Sequence, residues 1–148
     1  MFKRVLVSVS FLCCLVLVGC GAAPQRVVLT GTDRDAVLAY SEPMTDNLLQ
    51  GMNEGDYARF ARDFDEQMAK AMPASSFDGF MTSIGDKIGL YQSRTVSTVE
   101  VVDNFTHVVY EAQFANDNPV TIRVVFNKDT ADHLISGLWF DSAKLRDQ

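Results

Sequence analysis

Three successive segments of the chain carry apolar side chains at intervals of three and four residues, which is the spacing of one helix face. Their apolar positions are Val37, Tyr40, Met44, Leu48 and Met52, then Tyr57, Phe60, Ala61, Phe64 and Met68, then Phe77, Phe80, Met81, Ile84 and Ile88. The pattern predicts three helices, which begin near Thr32, at Asp56 and near Ser75. Pro43 either kinks the first helix or starts a second piece of it, because proline interrupts the helical hydrogen bonds.

Beyond Gly89 the period of the apolar positions changes to two residues, the spacing of strands with one buried face. The alternation predicts four strands, which cover residues 91–102, 106–114, 120–126 and 133–141. Short polar segments at 103–104, 116–119 and 127–132 join them, so neighbouring strands are expected to run antiparallel. The sequence therefore predicts an α+β domain, with three N-terminal helices packed on a four-stranded antiparallel sheet.

The two faces of the predicted sheet differ in their expected partners. One face, with Val108, Tyr110, Ile122 and Val124, is expected to pack against Phe60, Phe64, Phe80 and Ile84 of the helices. The other face is not fully polar, since it includes Phe105, Val109, Val125, Ile135 and Trp139. Either this face is buried in a homodimer, or the last strand bends at Gly137 so that Trp139 faces the helices.

The N-terminal segment is typical of an export signal. Lys3 and Arg4 precede an uncharged, mostly apolar run that extends from Val5 to Val18, shorter than the roughly 20 residues of a membrane-spanning helix. Gly19 and Cys20 follow, and this ending resembles the lipobox of prokaryotic lipoproteins. The resemblance implies a signal peptide at 1–19 and fatty acyl chains, palmitate among them, on Cys20. A lipidated Cys20 and tether at 20–32 and one domain at 33–148 complete the predicted organisation.

The charge balance bears on possible partners. The 148 residues include 13 basic and 19 acidic side chains, for a net charge of -6, and removal of residues 1–19 would eliminate two basic groups and no acidic one. No basic patch of the kind that binds nucleic acid is visible in the sequence. The acyl chains on Cys20, rather than the acidic protein surface, are therefore expected to hold the protein at the membrane. The predicted location is the extracytoplasmic side of the cell membrane.

Two stretches of the domain resemble a known family. The segment Glu42-Pro43-Met44-Thr45-Asp46-Asn47-Leu48-Leu49, followed by Gly55-Asp56-Tyr57 and Phe64-Asp65, and the ending Ser136-Gly137-Leu138-Trp139-Phe140 are similar to the domain of unknown function 3887. The resemblance covers about residues 36 to 143. It implies the cystatin-like cone of nuclear transport factor 2-like proteins, in which a curved sheet wraps helices and leaves a pocket at its open end. Related proteins use that pocket for catalysis or for passive binding, so the fold does not select a function.

Few residues are candidates for chemistry. Asp141 follows two aromatic residues and could act as a base in an apolar pocket, with a tyrosine as the opposing hydrogen-bond donor, as in ketosteroid isomerase. The sequence favours a plainer interpretation, in which Asp141 marks the solvent edge of the sheet and the tyrosines fill the core. The candidate ligand-binding residues are Tyr57, Tyr91, Tyr110 and Trp139, and Tyr40 is a further candidate donor.

Metal and cofactor sites are not predicted. His107 and His133 are the only histidines, and both fall in polar surroundings typical of the protein surface. Asp129 and Asp132 lack the spacing of a calcium loop. The three cysteines, at positions 13, 14 and 20, all precede the domain. No phosphate loop, dinucleotide fingerprint or nucleophile elbow occurs.

Three functions are compatible with these features. The sequence favours a membrane-anchored, non-catalytic domain that binds a small ligand or an envelope protein. The alternatives are a small isomerase, dehydratase or hydrolase that uses the cone pocket, and a purely structural envelope protein. An open pocket with convergent polar groups would favour the enzyme, and a cone closed by an apolar plug would favour the binding domain.

Overall fold

The computed structural model describes residues 25–147, so the predicted signal peptide and Cys20 lie outside the described residues. The strands are β1 (Arg26–Val28), β2 (Tyr91–Val102), β3 (Phe105–Phe114), β4 (Val120–Asn127) and β5 (Ile135–Asp141). The helices are α1 (Gly31–Glu54), α2 (Tyr57–Phe60), α3 (Glu66–Ala71), α4 (Ala74–Ile88) and α5 (Ala143–Arg146). Among these helices none is both long and apolar enough to cross a membrane.

The sheet is antiparallel throughout, as predicted, but it contains five strands in the order β1-β2-β3-β4-β5 rather than four. The additional strand, β1, falls inside the segment that the sequence predicted to be a tether. It pairs with β2 from Arg26 opposite Val102 to Val28 opposite Glu100. The prediction missed β1 because three exposed residues carry no periodic signal, and only the free edge of a distant strand makes them extended.

The helices also differ in number from the prediction of three. Helix α1 continues through Pro43 as one element of 24 residues. The second predicted helix is divided into α2 and α3, because the backbone between them bonds to β5 instead of continuing the helix. The N–H of Ile135 donates to the carbonyl of Asp63 at 2.8 Å, and the N–H of Asp65 donates to the carbonyl of Ile135 at 2.9 Å. The short α5, capped by Ser142, was not predicted.

The core lies between the helices and one face of the sheet, which we call the inner face. The predicted core residues Phe60, Phe64, Ile84, Val108, Tyr110, Ile122 and Val124 are all buried there, and Phe80 packs against them. The Phe60 ring is central, with ring centroids of Phe64, Phe77 and Phe80 between 4.8 and 5.8 Å away. The helices and the antiparallel sheet, together with this core between them, confirm the predicted α+β class.

From Gly137 onward β5 alternates regularly, and Trp139 does not turn toward the helices. Leu138 and Phe140 pack against the core, whereas Trp139 lies opposite Arg123 on the outer face and is 56% exposed. The alternative in which Gly137 bends the strand and turns Trp139 toward the helices is therefore wrong. A Cβ atom at Gly137 would lie 2.5 Å from two atoms of the Trp139 ring, so the glycine leaves room for the indole on the outer face. Ile135, expected on the outer face, is buried in the core because the register shifts between Val125 and Phe126.

Candidate functional site

An ion-paired arginine lies between α1 and the inner face of the sheet. Arg94 is on β2, and its side chain is only 7% exposed. One guanidinium nitrogen contacts Oδ1 of Asp46 at 2.6 Å, and the other contacts Oε2 of Glu42 at 3.1 Å. Both carboxylates come from α1, where a spacing of four residues puts them on one helix face. The arginine therefore joins the long helix to the sheet.

Aromatic residues complete this cluster, which we call the Arg94 network: Glu42, Thr45, Asp46, Tyr91, Arg94 and Tyr110. The guanidinium carbon lies 5.0 Å from the centre of the Tyr110 ring, within the range of a cation–π contact. The Tyr110 hydroxyl is 3.2 Å from Oγ1 of Thr45, and Arg94 donates to the Tyr91 hydroxyl at 3.2 Å. These contacts fill the space between helix and sheet with side chains.

The titration properties of the network are those of a structural ion pair. Burial raises the pKa of Tyr110 well above its usual value, so its phenol remains protonated. Burial alone would lower the pKa of Arg94, but the bond to Asp46, the bond to Tyr91 and the charge of Glu42 raise it overall. The guanidinium therefore stays charged and does not act as an acid or base near neutral pH.

The network is closed to solvent on the inner face, since Thr45 and Tyr110 are fully buried and the Arg94 side chain is only 7% exposed. The small cleft beside Arg94, of about 120 Å³, lies on the opposite face of the sheet, which bears Ser93 and Glu111. Ser41 Oγ, Glu42 Oε1 and Arg94 Nε are buried without a partner among the described residues, an arrangement that an ordered water normally satisfies. This end of the domain is filled rather than open.

Two larger clefts lie on opposite sides of β5. The inner β5 cleft, of about 390 Å³, is lined by Phe80, Ser83, Ile84, Lys87, Leu138, Trp139, Phe140 and Leu145. The outer β5 cleft, of about 290 Å³, is lined by Thr121, Arg123, Trp139, Phe140 and Asp141. Both are open grooves at the edge of the sheet. Because Trp139 and Phe140 line both clefts, the two form one candidate site around the end of β5.

The charged residues of the two clefts differ in whether they have partners. Nζ of Lys87 donates to the backbone carbonyl of Asp147 at 3.0 Å and so holds the C-terminal segment. Arg146 binds both carboxylate oxygens of Asp141 at 2.6 Å. Arg123 forms no ion pair with any of residues 25–147. Arg123 therefore presents an unneutralised positive charge in the outer cleft.

The candidate residues from the sequence are divided among several places. Tyr91 and Tyr110 meet at Arg94, and Trp139 lines the two β5 clefts. The Tyr57 hydroxyl donates to the carbonyl of Met72 at 2.9 Å, between α2 and the end of α3. The ring of Tyr40 stacks on His133, with centroids 4.4 Å apart. The four predicted ligand-binding residues therefore do not form a single pocket.

Asp141, the candidate base, lies in the outer cleft and is exposed to solvent. Its hydrogen bond to Arg146 lowers the pKa of the carboxyl below its ordinary value. A general base needs a pKa near the working pH, which burial in an apolar pocket would provide. The surroundings of Asp141 have the opposite effect, so the carboxylate is a weak base held by a neighbouring cation.

A second polar cluster, on the outer face of the sheet, was also not predicted from the sequence. Glu100 is only 3% exposed, although it points away from the helices, because Arg26 and His107 cover it. The Arg26 guanidinium donates to Glu100 at 3.1 Å, and Nδ1 of His107 is 3.7 Å from the same carboxylate. Desolvation lowers the pKa of His107 despite the nearby Glu100 charge. Within residues 25–147 no group of three or more His, Cys, Asp or Glu side chains could hold a metal ion.

The Arg94 network had a partial signal in the sequence. Glu42 and Asp46 are four residues apart on one predicted helix and belong to the stretch that carried the family resemblance. Arg94 is a lone cation among small and β-branched residues of a predicted strand. Their pairing could not be predicted, because it depends on how α1 packs across the sheet.

The model of the family described as "Protein of unknown function (DUF3887)" matches residues 45–131, more than half of the chain. The matched segment includes Thr45, Asp46, Tyr91, Arg94 and Tyr110 of the Arg94 network, and Arg123 of the outer β5 cleft. It ends before Trp139. No curated protein and no solved structure was found to match the chain.

Proposed function

The chain belongs to the DUF3887 family, whose description names no activity. We propose that it is a membrane-anchored, extracytoplasmic lipoprotein, from its N-terminal sequence, and that its domain binds a ligand or partner protein without catalysis, from the geometry of residues 25–147. The filled inner end of the sheet carries the proposal. An enzyme of the cone type would need an open apolar pocket there. Arg94, its two carboxylates and Tyr110 occupy that position instead.

The β5 clefts are the proposed binding surface. Trp139 is a large apolar side chain that is more than half exposed at the point where the two β5 clefts meet. Exposed aromatic residues beside an unpaired arginine are typical of binding hot spots. The low basicity of Asp141 in the outer cleft supports binding rather than proton transfer as the task of this surface.

The anchor is proposed from the lipobox-like sequence at Cys20. Because β1 begins at Arg26, only residues 21–25 separate the predicted lipid from the domain. Five residues span at most about 20 Å even when fully extended. The proposed anchor would therefore hold the sheet edge formed by β1 close to the membrane, nearer than a tether that continued to residue 32.

We further propose that the domain shares the cystatin-like cone. Helices α1 to α4 precede the four long strands, β2 to β5, each of which pairs with the next strand in sequence. Register shifts occur twice in β2, near Tyr91 and near Val96, and once between β4 and β5. Shifts of this kind bend strands and increase their twist, so they support a curved sheet. The homodimer through the outer face stays a prediction, with Phe105 and Trp139 as its exposed apolar residues.

The binding and enzyme proposals can be separated by complementation. In a strain that lacks the protein and shows an envelope phenotype, Asp141→Asn should restore the wild-type phenotype, whereas Trp139→Ala should not. Both side chains are exposed, so neither change should reduce protein abundance, which is checked by immunoblot. Loss of function in Asp141→Asn at normal abundance would contradict the binding proposal and favour the enzyme.

A further inference from the structure

We propose that the free edge of β5, the side that does not pair with β4, binds an extended peptide segment of a partner protein as an additional strand. This segment alternates apolar with acidic side chains. The inference rests on the proposed binding function and specifies its partner. Three observations support it: the unpaired part of the β5 edge, the position of the two clefts and the charge of Arg123 on β4.

The free edge of β5 pairs with another segment of the chain at Ile135 and is unpaired beyond it. At its start, Ile135 forms a parallel bridge with Phe64, and its backbone N–H and carbonyl bond to residues 63 and 65. Beyond Ile135, β5 pairs on one side with β4, and no strand of the described residues pairs with its other side. The bridge shows that this edge accepts an extended backbone, and the free part could accept another.

The clefts lie where the side chains of an added strand would point. Successive side chains of a strand project to opposite faces of a sheet. A strand paired with β5 would therefore direct alternate side chains toward the inner β5 cleft. The remaining side chains would lie on the outer face, beside Trp139 and one strand away from Arg123 of β4. The inner cleft offers apolar contacts from Phe80, Ile84 and Leu138. Apolar side chains at every second position of the partner segment fit it.

The outer cleft selects the other side chains by charge. Arg123 has no ion-pair partner within residues 25–147, and the negative charge of Asp141 is already held by Arg146. The cleft is thus locally positive on a chain whose net charge is -6. A carboxylate of the partner segment could form a charge-assisted pair with Arg123. A second copy of β5 fits less well, because Asp141 is its only acidic residue and is already paired.

The test uses the full chain in detergent micelles and a short capped peptide of alternating valine and glutamate. Trp139 is the only tryptophan, so its fluorescence reports on this site alone. We expect a saturable fluorescence change, together with slowed amide hydrogen exchange at residues 137–141. Arg123→Gln should weaken binding about tenfold, as loss of a charge-assisted contact does, whereas the control Arg34→Gln should leave it unchanged.

Two control peptides test the mode of binding. A peptide of alternating valine and lysine should bind much more weakly, and so should the glutamate peptide with N-methyl groups on alternate backbone nitrogens. Equal binding by the N-methylated peptide would overturn strand addition, and equal binding by the lysine peptide would overturn the charge preference. Absence of binding by every peptide would overturn the inference, as would protection of residues 137–141 that depends on protein concentration alone and identifies a second copy. None of these results changes the complementation by Asp141→Asn and Trp139→Ala, which tests the proposed function separately.

Discussion

At the scale of single residues, the structure depends on close contacts that the sequence pattern does not reveal. Gly51 lies where α1 packs against the end of α2, and a Cβ atom there would be 2.4 Å from the backbone nitrogen of Phe60. Periodicity placed Phe60 in the core correctly because apolar spacing reports burial directly. It could not identify Gly51 or Arg94, whose roles depend on partners from other elements.

Gly51→Ala should destabilise the domain by about 1–3 kcal/mol, because the obstructing atoms belong to the Phe60 backbone and cannot rotate away. Gly79→Ala is the matched control, since no atom lies within 4 Å of its Cβ position in α4. That change should stabilise the domain by up to about 1 kcal/mol through helix propensity. Urea unfolding of both variants measures the difference. Equal effects of the two changes would contradict the close packing of α1 on α2.

Tyr110 should make stability depend on alkaline pH. Burial raises the pKa of its phenol in the folded state, so the folded protein retains a proton that the unfolded chain releases above about pH 10. Ionisation of Tyr110 therefore leaves the free energy of unfolding unchanged below that pH and lowers it as the pH rises further. Tyr110→Phe should reduce the slope of unfolding free energy against pH between 9 and 11, in urea titrations at each pH. An unchanged slope would show that Tyr110 ionises freely.

At the scale of elements, the long periodic segments were predictable and the short ones were not. The helix at 74–88 and the strands from 91 onward follow from patterns that extend over many residues. β1 and the 61–65 connection take their conformation from hydrogen bonds to β2 and β5, which are distant in sequence. The sequence likewise placed Ile135 on the wrong face, because a single register shift reverses the direction of a side chain.

Deletion of β1 should lower stability, contrary to what a simple tether implies. A chain that begins at residue 25 retains the β1–β2 pairing, the bond from Leu29 N–H to the Val99 carbonyl and the Arg26–Glu100 pair. A chain that begins at residue 32 loses them and exposes Glu100. We expect a difference of about 1–3 kcal/mol in the free energy of unfolding in urea. Equal stability of the two chains would restore the interpretation of residues 20–32 as a tether throughout.

At the scale of the whole molecule, the family and the class of fold were accessible from the sequence, whereas the candidate site was not. Trp139 was among the candidate ligand-binding residues predicted from the sequence. The position of Arg123 and the outer cleft follow only from the pairing of β4 with β5, and the inner cleft only from the packing of α4 and α5 beside β5. The proposed anchor, in contrast to the candidate site, is inferred from the sequence around Cys20 alone.

Cys20→Ser should remove the lipid and release the protein from membranes. We expect loss of incorporated radioactive palmitate and a shift of the protein from the membrane pellet to the soluble fraction. Cys14→Ser is the matched control, because it changes a cysteine within the predicted signal peptide and should leave both properties intact. Membrane partitioning of Cys20→Ser with a cleaved N-terminus would contradict the proposed anchor.

The claim that the β5 clefts are a binding surface can be tested in the native membrane. Ser83 lines the inner β5 cleft, and Ser75 is an exposed serine on the same helix that lines neither β5 cleft. Ser83→Cys and Ser75→Cys would each be labelled with a membrane-impermeant maleimide in native membranes and in the purified protein. We expect labelling of Ser83→Cys to be slower in native membranes than after purification, and labelling of Ser75→Cys to be the same in both. Equal labelling of Ser83→Cys in the two preparations would contradict occupation of the cleft.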